Sequence, residues 1–417
     1  MPVPLPCPST PSRPSRPSRP LIRRVSWATL AAASLLLAGC STLPLWMVVQ
    51  RKAAVTDYQH FDNAPIAKAA VPSPLPAAPA ALRWPGGASD EAVRQMLADT
   101  GTQALLVLRR GQLVHEQYAN GHSREAIGTS FSVAKSVVSL LLGVAIADGR
   151  IASVDEPITR FLPELLGNDP RFAQITLRHL LMMRSGIAFD EGYGSPFAEA
   201  AKFYLTDNMA AQVAQLKIAR PPDQAYSYQS GDTQLLSMAV QRATGVPLAQ
   251  YLQDKLWQPM GAEFDASWSL DSAAHGIARG FCCLNARAVD YARLGQLVLQ
   301  GGRSATGRQL VSADWLRDST APQQRGGADA AAQRNLEWRG GRALAFYAWQ
   351  WRRVVATDSR SASPEQVQPG QDFFAQGHAG QYIYIAPATQ TVVVRLGHGR
   401  GGVYWEPWLG ELARLNP

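Results

Sequence analysis

Apolar positions follow two regimes along the chain. Toward both ends of the folded part they come in short β-rich runs, and through the middle they follow helical spacing. Ser89-Asp90 caps the run EAVRQMLADT, which predicts a helix. Ala104–Leu108 and Gln112–Tyr118 flank Arg110-Gly111, the pattern of a hairpin. Phe131–Ala147 is a long apolar helix ended by Asp148-Gly149, and residues 150–275 read as helices and loops without sustained alternation. Asn285–Leu299 is an amphipathic helix, Gln381–Ile385 and Gln390–Leu396 are strands, and Trp405–Leu415 is a last helix. The order predicts a mixed α/β fold of the α+β kind. One antiparallel sheet is built from both chain ends and flanked by helices, with a mostly helical lobe at about 150–275 inserted into it.

Ahead of residue 89 the pattern changes. Residues 11–19 repeat Pro-Ser-Arg and cannot build a core. Arginines up to Arg24 precede the apolar run Trp27–Leu37, which ends in Leu37-Ala38-Gly39-Cys40. A charged stretch, a short apolar segment and a small-residue site predict a signal peptide over residues 1–39. A cysteine directly after that site resembles the bacterial lipoprotein signal. The resemblance implies lipidation of Cys40 and, with Ser41 rather than aspartate next, an outer-membrane lipoprotein facing the periplasm that meets the membrane only through its lipid. The competing reading is an uncleaved anchor, since apolar residues continue through Leu45–Val49; Pro44 and the small-residue site argue against one continuous helix. Residues 40–88, rich in Pro and Ala, are expected to be a tether, free or lying in part along the domain surface, and residues 89–417 the folded domain.

Charge changes little in this picture. The chain carries +8, but residues 1–39 hold five arginines and no acid, so the remainder has 35 basic against 32 acidic residues. With no Lys/Arg-dense stretch interleaved with aromatics, nucleic acid is excluded as a partner. After Cys40 only Cys282 and Cys283 follow, adjacent in sequence, and they are expected to be small packed thiols rather than a disulfide. No spacing makes a metal site and no cofactor is called for. Oligomeric state is not legible.

The chemistry lies in the apolar helix. Lysine is rare, with six in the chain, and only Lys135 has a serine three residues before it. That spacing alone is weak evidence. Yet from Ala126 to Ala147 Lys135 is the sole charged residue, in FSVAKSVVSLLLGVAIA. A helix apolar all round is buried, and a buried ammonium is costly unless paired or neutralised. Three residues along a helix put Ser132 and Lys135 on one face, where a desolvated lysine can take the serine proton. The bland alternative is a lysine that snorkels along a surface stripe, and no polar stripe is visible around it. There is no Gly-x-Ser-x-Gly and no His-Glu-x-x-His.

At this point the chain resembles the serine β-lactamase and penicillin-binding superfamily, in its class C branch. FSVAKS looks like that family's Ser-x-x-Lys motif, and Tyr226-Ser-Tyr-Gln-Ser230 resembles its Tyr-x-Asn element, placing the tyrosine at Tyr228. Gly377-His-Ala-Gly-Gln381 resembles its Lys-Thr-Gly-like element. Met183–Tyr193, Asp290–Gly295 and Gly380–Pro387 are most similar to 6-aminohexanoate-dimer hydrolases and related carboxylesterases. The resemblance implies a serine hydrolase acting on small ester or amide substrates. Ser132 forms the acyl-enzyme, and Lys135 and Tyr228 share the proton transfers, the tyrosine with its pKa lowered by the lysine. Backbone N–H groups of Ser132 and Gln381 form the oxyanion hole, and Tyr193, Ser230, His378 and Gly380 contact substrate. Ser230 stands where β-lactamases carry asparagine and His378 where they carry lysine, which favours esters or other amides over β-lactams. The alternatives are a β-lactamase or D,D-peptidase acting on cell-wall peptides, or a penicillin-binding protein that acylates without turnover. Asp190, Asp232 and Arg184 are expected to be ordinary loop charges, and residues 187–225 and 358–370 to line the cleft.

Overall fold

The structure, a computed structural model, describes residues 53–325, 333–339, 342–356 and 363–416. The expected signal peptide, Cys40 and the first part of the tether lie outside the described residues.

The sequence alternation at both ends becomes one eight-stranded antiparallel sheet. Its strands are β2 (Thr102–Arg109), β3 (Gln112–Tyr118), β9 (Leu336–Arg339), β10 (Arg342–Tyr347), β11 (Arg352–Val355), β12 (Pro369–Gly377), β13 (Gln381–Ala386) and β14 (Thr391–Gly397). They lie in the order β3-β2-β14-β13-β12-β11-β10-β9, so the N-terminal hairpin pairs with the last strand of the chain. Side chains alternate across this sheet. Tyr382, Tyr384 and Val393 face helices α1 (Asp90–Asp99) and α5 (Trp405–Leu415), in a cluster with Leu97, Trp405 and Leu409. Ile383 and Val392 face the other way, toward helix α4 (Ala288–Leu299). A Cβ at Gly295 on α4 would sit 2.6 Å from Val392 and 2.7 Å from Ile383, so only glycine lets the helix lie this close to the sheet.

Helix α2 (Val133–Ala147) packs against β12, β13 and helix α3 (Ser230–Thr244), and it is buried from Val133 to Ala145. The mostly helical lobe between α2 and α4 includes a two-stranded ribbon, β5 (Ile187–Ala188) with β6 (Lys217–Ile218). A second sheet joins β1 (Asn63–Ile66), β7 (Ala266–Ser269), β8 (Leu284–Ala286) and β4 (Gly128–Thr129).

Two expectations need correction. Residues 63–88, assigned to the tether, are packed on the domain: β1 pairs with β7, Ala78 and Ala80 donate to the Leu113 and Val114 carbonyls, and Ile66 and Trp84 are buried. Their prolines suit an edge segment that lies along a surface without a full ladder of donors. Cys282 and Cys283 are bonded to each other. The expectation of free thiols rested on the usual 4.4–6.8 Å between bridged Cα atoms, roughly; here adjacent residues close the bond with Cα atoms 3.7 Å apart and Cys283 in the left-handed region.

Candidate active site

Ser132 is the residue from which α2 starts, so its hydroxyl and its N–H sit at the helix N-terminus. The residue before it, Phe131, has a φ of 44°, a conformation unfavourable for an aromatic side chain. Two neighbours hold that turn in place. Ser130 exchanges bonds with Leu284 of β8, its N–H reaching the carbonyl at 2.8 Å and its Oγ accepting from the N–H at 3.1 Å. The β12–β13 hairpin abuts it from the other side, where a Cβ at Gly377 would lie 2.3 Å from the Ser130 carbonyl. The hairpin turn passes through Ala379 and Gly380, both left-handed, and delivers Gln381 as the first residue of β13. Arg395 clamps that turn by donating to the Gly380 carbonyl at 2.6 Å, and the Gln381 side chain is tied to Gly397.

Lys135 lies one turn into α2 and is 1% exposed. Its Nζ donates to Ser132 Oγ at 3.3 Å, Ser230 Oγ at 3.0 Å and the Phe281 carbonyl at 2.9 Å. All three acceptors are neutral. Burial therefore dominates and lowers the lysine pKa to about 8, against a smaller raising effect from Glu191, a further lowering from Arg352 and a raising one from Asp232.

Tyr228 lies with Ser132 and Lys135, its ring centroid 5.3 Å from Nζ. Its pKa is not lowered, contrary to the expectation. Burial pushes the phenol up to about 12; Arg352 opposes this, Glu191 adds to it, and the Ser132 hydroxyl bonds the phenol and favours its ionised form. The cation acting on Tyr228 is Arg352, whose guanidinium lies 4.9 Å from the ring centroid and is paired with Glu337. Arg352 and Glu337 carried no motif in the sequence, because they sit on strands β9 and β11 that its alternation did not announce.

Ser230 is buried and engaged on both sides: its Oγ meets Lys135 and donates to Glu191 at 2.7 Å, while its N–H donates to Glu191 at 2.6 Å. Tyr193 also donates to Glu191. Glu191 was missed, although it stands two residues before Tyr193 in the singled-out loop. At the exposed rim the His378 ring packs edge-on to Phe131 at 5.2 Å and lies 5.9 Å from Tyr193. Thus Ser132, Lys135, Tyr228, Ser230, Tyr193 and His378 converge, with Gly380 and Gln381 in the adjoining turn. Asp190 is exposed, as expected of a loop charge. Asp232 is not a loop charge, and Arg184, though in a loop, is not an ordinary one. Asp232 is buried in the first turn of α3, bonded to Ser185 at 2.6 Å and Gln229 at 2.7 Å, with its pKa raised to about 8 by burial. Arg184 is buried and pairs with Asp223 at 2.6 Å and Asn335 at 2.7 Å.

Comparison with known proteins fits this arrangement. The chain is 27% identical over 321 residues to a 6-aminohexanoate-dimer hydrolase of Paenarthrobacter ureafaciens, covering 73% of this chain and 74% of that one. It is 31% identical over 179 residues to esterase EstB of Burkholderia gladioli, covering 37% and 44%. A solved structure, described as a putative 6-aminohexanoate-dimer hydrolase from Bacillus anthracis, superposes with a TM-score of 0.71 at 22% identity, covering 88% of this chain and 94% of that one. The Beta-lactamase family model matches residues 90–407, which takes in the sheet, the helical lobe and every residue of the site above. The chain is a hydrolase that belongs to the β-lactamase family.

Proposed function

We propose that the protein is an exported serine hydrolase that cleaves ester or amide bonds of small acyl substrates through an acyl-enzyme on Ser132. The observation that carries the reading is the buried Lys135 amine, in hydrogen-bonding reach of Ser132 and surrounded by neutral acceptors. A lysine with its pKa brought to about 8 is neutral in a useful fraction of molecules near neutrality and can take the Ser132 proton as Oγ attacks the carbonyl. The N–H groups of Ser132 and Gln381 receive the developing oxyanion. A phenol near 12 holds its proton at neutral pH, so Tyr228 donates it to the leaving atom and then takes a new proton from the attacking water, while the Lys135 ammonium returns its proton to Ser132 Oγ as the acyl group is released. The two relatives, one a 6-aminohexanoate-dimer hydrolase and one an esterase, support these two bond types, since amino acids condense through an amide. The arginine-led apolar run before Cys40 supports export with a lipid on that cysteine.

Three outcomes are expected. Protein lacking residues 1–40 hydrolyses p-nitrophenyl butyrate, and Ser132→Ala lowers kcat by roughly 10³-fold or more; equal rates for the two would remove Ser132 from the mechanism. The acid limb of kcat/KM rises with pH through about 8, because the working lysine is the neutral form and its pKa is depressed from 10.5; a profile flat from pH 6 to 10, roughly the span over which such a lysine titrates, would contradict the assignment. In a bacterial host, labelled palmitate enters the full-length chain and not its Cys40→Ala variant; labelling of both would refute the anchor.

A further inference from the structure

Arg395, near the end of β14, is 0% exposed, and its guanidinium lies 3.9 Å from the centroid of the Trp405 ring. Its Nε donates to Thr102 Oγ at 3.0 Å. One terminal nitrogen donates to the Gly380 carbonyl at 2.6 Å and the Ala379 carbonyl at 3.4 Å, the other to the carbonyls of Gly399 at 2.8 Å and Thr100 at 3.2 Å. All five acceptors are neutral. Burial lowers the arginine pKa to about 9, which leaves it charged near neutrality. A charge taken out of water onto neutral acceptors is costly, and an apolar side chain of similar size would pack at this place with a smaller penalty. Two glycines make room for it: a Cβ at Gly380 would lie 2.3 Å from its Nη1, and one at Gly397 2.7 Å.

The carbonyl it holds most closely shares a peptide with Gln381. Gly380 C=O and Gln381 N–H are the two ends of one planar trans unit, so a donor fixed on the oxygen fixes the direction of the N–H. The turn before that unit runs through two left-handed residues, Ala379 and Gly380, and glycine does little by itself to set the plane. Arg395 supplies the missing restraint by tying the turn to Thr102, the first residue of β2, and to Thr100, the residue that ends α1. The Gln381 side chain holds the same residue from its other end, through Gly397 and the His378 carbonyl. A positive charge on the oxygen also draws electron density from the nitrogen and makes its N–H more positive. Hydrogen bonds chained through one amide strengthen each other by roughly 10–30%.

We infer that Arg395 is a positioning residue for the oxyanion site: from behind the Gly380–Gln381 peptide its guanidinium aims and polarises the Gln381 N–H that receives the developing oxyanion. This rests on the hydrolase reading above and adds to it a residue that acts through another. Its influence is greatest where the substrate oxygen carries charge, because an alkoxide gains more from an aimed, strengthened donor than a neutral carbonyl does. Arg395 therefore speeds the passage through each tetrahedral intermediate and contributes little to the binding of the intact ester.

The test compares the full-length protein with Arg395→Met and Arg395→Lys, each assayed below its unfolding midpoint on p-nitrophenyl butyrate. A butyl trifluoromethyl ketone serves as the second probe, since it adds Ser132 Oγ and places an alkoxide where the oxyanion forms. In Arg395→Met kcat falls by roughly 10- to 100-fold, short of the roughly 10²–10³ that loss of a whole oxyanion donor costs. The inhibition constant of the ketone rises by a comparable factor while KM stays within about twofold, because binding of the intact ester is untouched. Arg395→Lys keeps the charge without the fork and falls between Arg395→Met and the wild type. A kcat for Arg395→Met within about twofold of the wild type, or kcat, KM and ketone binding all worsening in parallel, would overturn the inference. If Arg395→Met does not fold, Arg395→Lys decides. A joint loss of about threefold or more in kcat and ketone affinity at constant KM is then the expected result, and no such loss would overturn the inference. Either way the hydrolase reading stands; it falls if the wild type does not cleave p-nitrophenyl butyrate.

Discussion

The site depends on an amine taken out of water without a carboxylate to balance it. Lys135 is enclosed by α2, α3 and the segment carrying Phe281, and its three hydrogen-bond acceptors are two hydroxyls and a carbonyl. A direct carboxylate partner would have fixed the ammonium and raised the pKa. Glu191 comes close, but Ser230 stands between, accepting from Lys135 and donating to Glu191. The result is a pKa lowered from 10.5 to about 8. At about 1.4 kcal/mol per unit this is roughly 3 kcal/mol in favour of the neutral amine. Desolvation outweighs the attraction of the nearby acids, and the amine is shifted toward its neutral form.

Much of the remaining structure serves to keep that amine dry and aimed. Helix α2 is buried on all sides because its neighbours are the sheet on one flank and α3 on the other. The close approach at Gly377 lets the β12–β13 hairpin touch the turn that carries Ser132, which brings Gln381, at the start of β13, next to that turn. The disulfide-linked Cys282-Cys283 pair lies between two contacts with that region, Phe281 to Lys135 and Leu284 to Ser130. On the far side, Arg352 performs the role expected of the lysine, since it is the cation that favours the ionised form of Tyr228. Tyr228 still stays protonated near neutrality, which separates the two groups: burial lowers the lysine toward its neutral form and holds the tyrosine in its protonated one.

How legible this was follows the kind of signal each residue gives. Helices α1, α2 and α5, the β2–β3 hairpin and strands β13 and β14 announce themselves through caps, turn residues and unbroken apolar runs. Strands β9–β12 do not. They are rich in arginine, glutamine and glycine, and their partner is the edge of a sheet whose other strands lie elsewhere in the chain. That loss carried Arg352 and Glu337 with it. The short strands β1, β4, β7 and β8 are held by long-range pairing, and a Pro- and Ala-rich segment gives no hint of it. Ser132 and Lys135 were legible because a lone charge in an apolar helix has few explanations. Glu191 and Asp232 were not, because a carboxylate in a loop or a helix first turn is commonplace and only burial and partners distinguish it.

The central claim is that Lys135 is a neutral base made so by burial, and its titration tests this most directly. Protein carrying ¹³C-labelled lysine can be followed by NMR at Cε across the pH range, with Lys135→Arg identifying the resonance. A midpoint near 8 is the result this account predicts. A midpoint near the ordinary 10.5 would show an ammonium held charged throughout the working range, and Ser132 would have to lose its proton to another group.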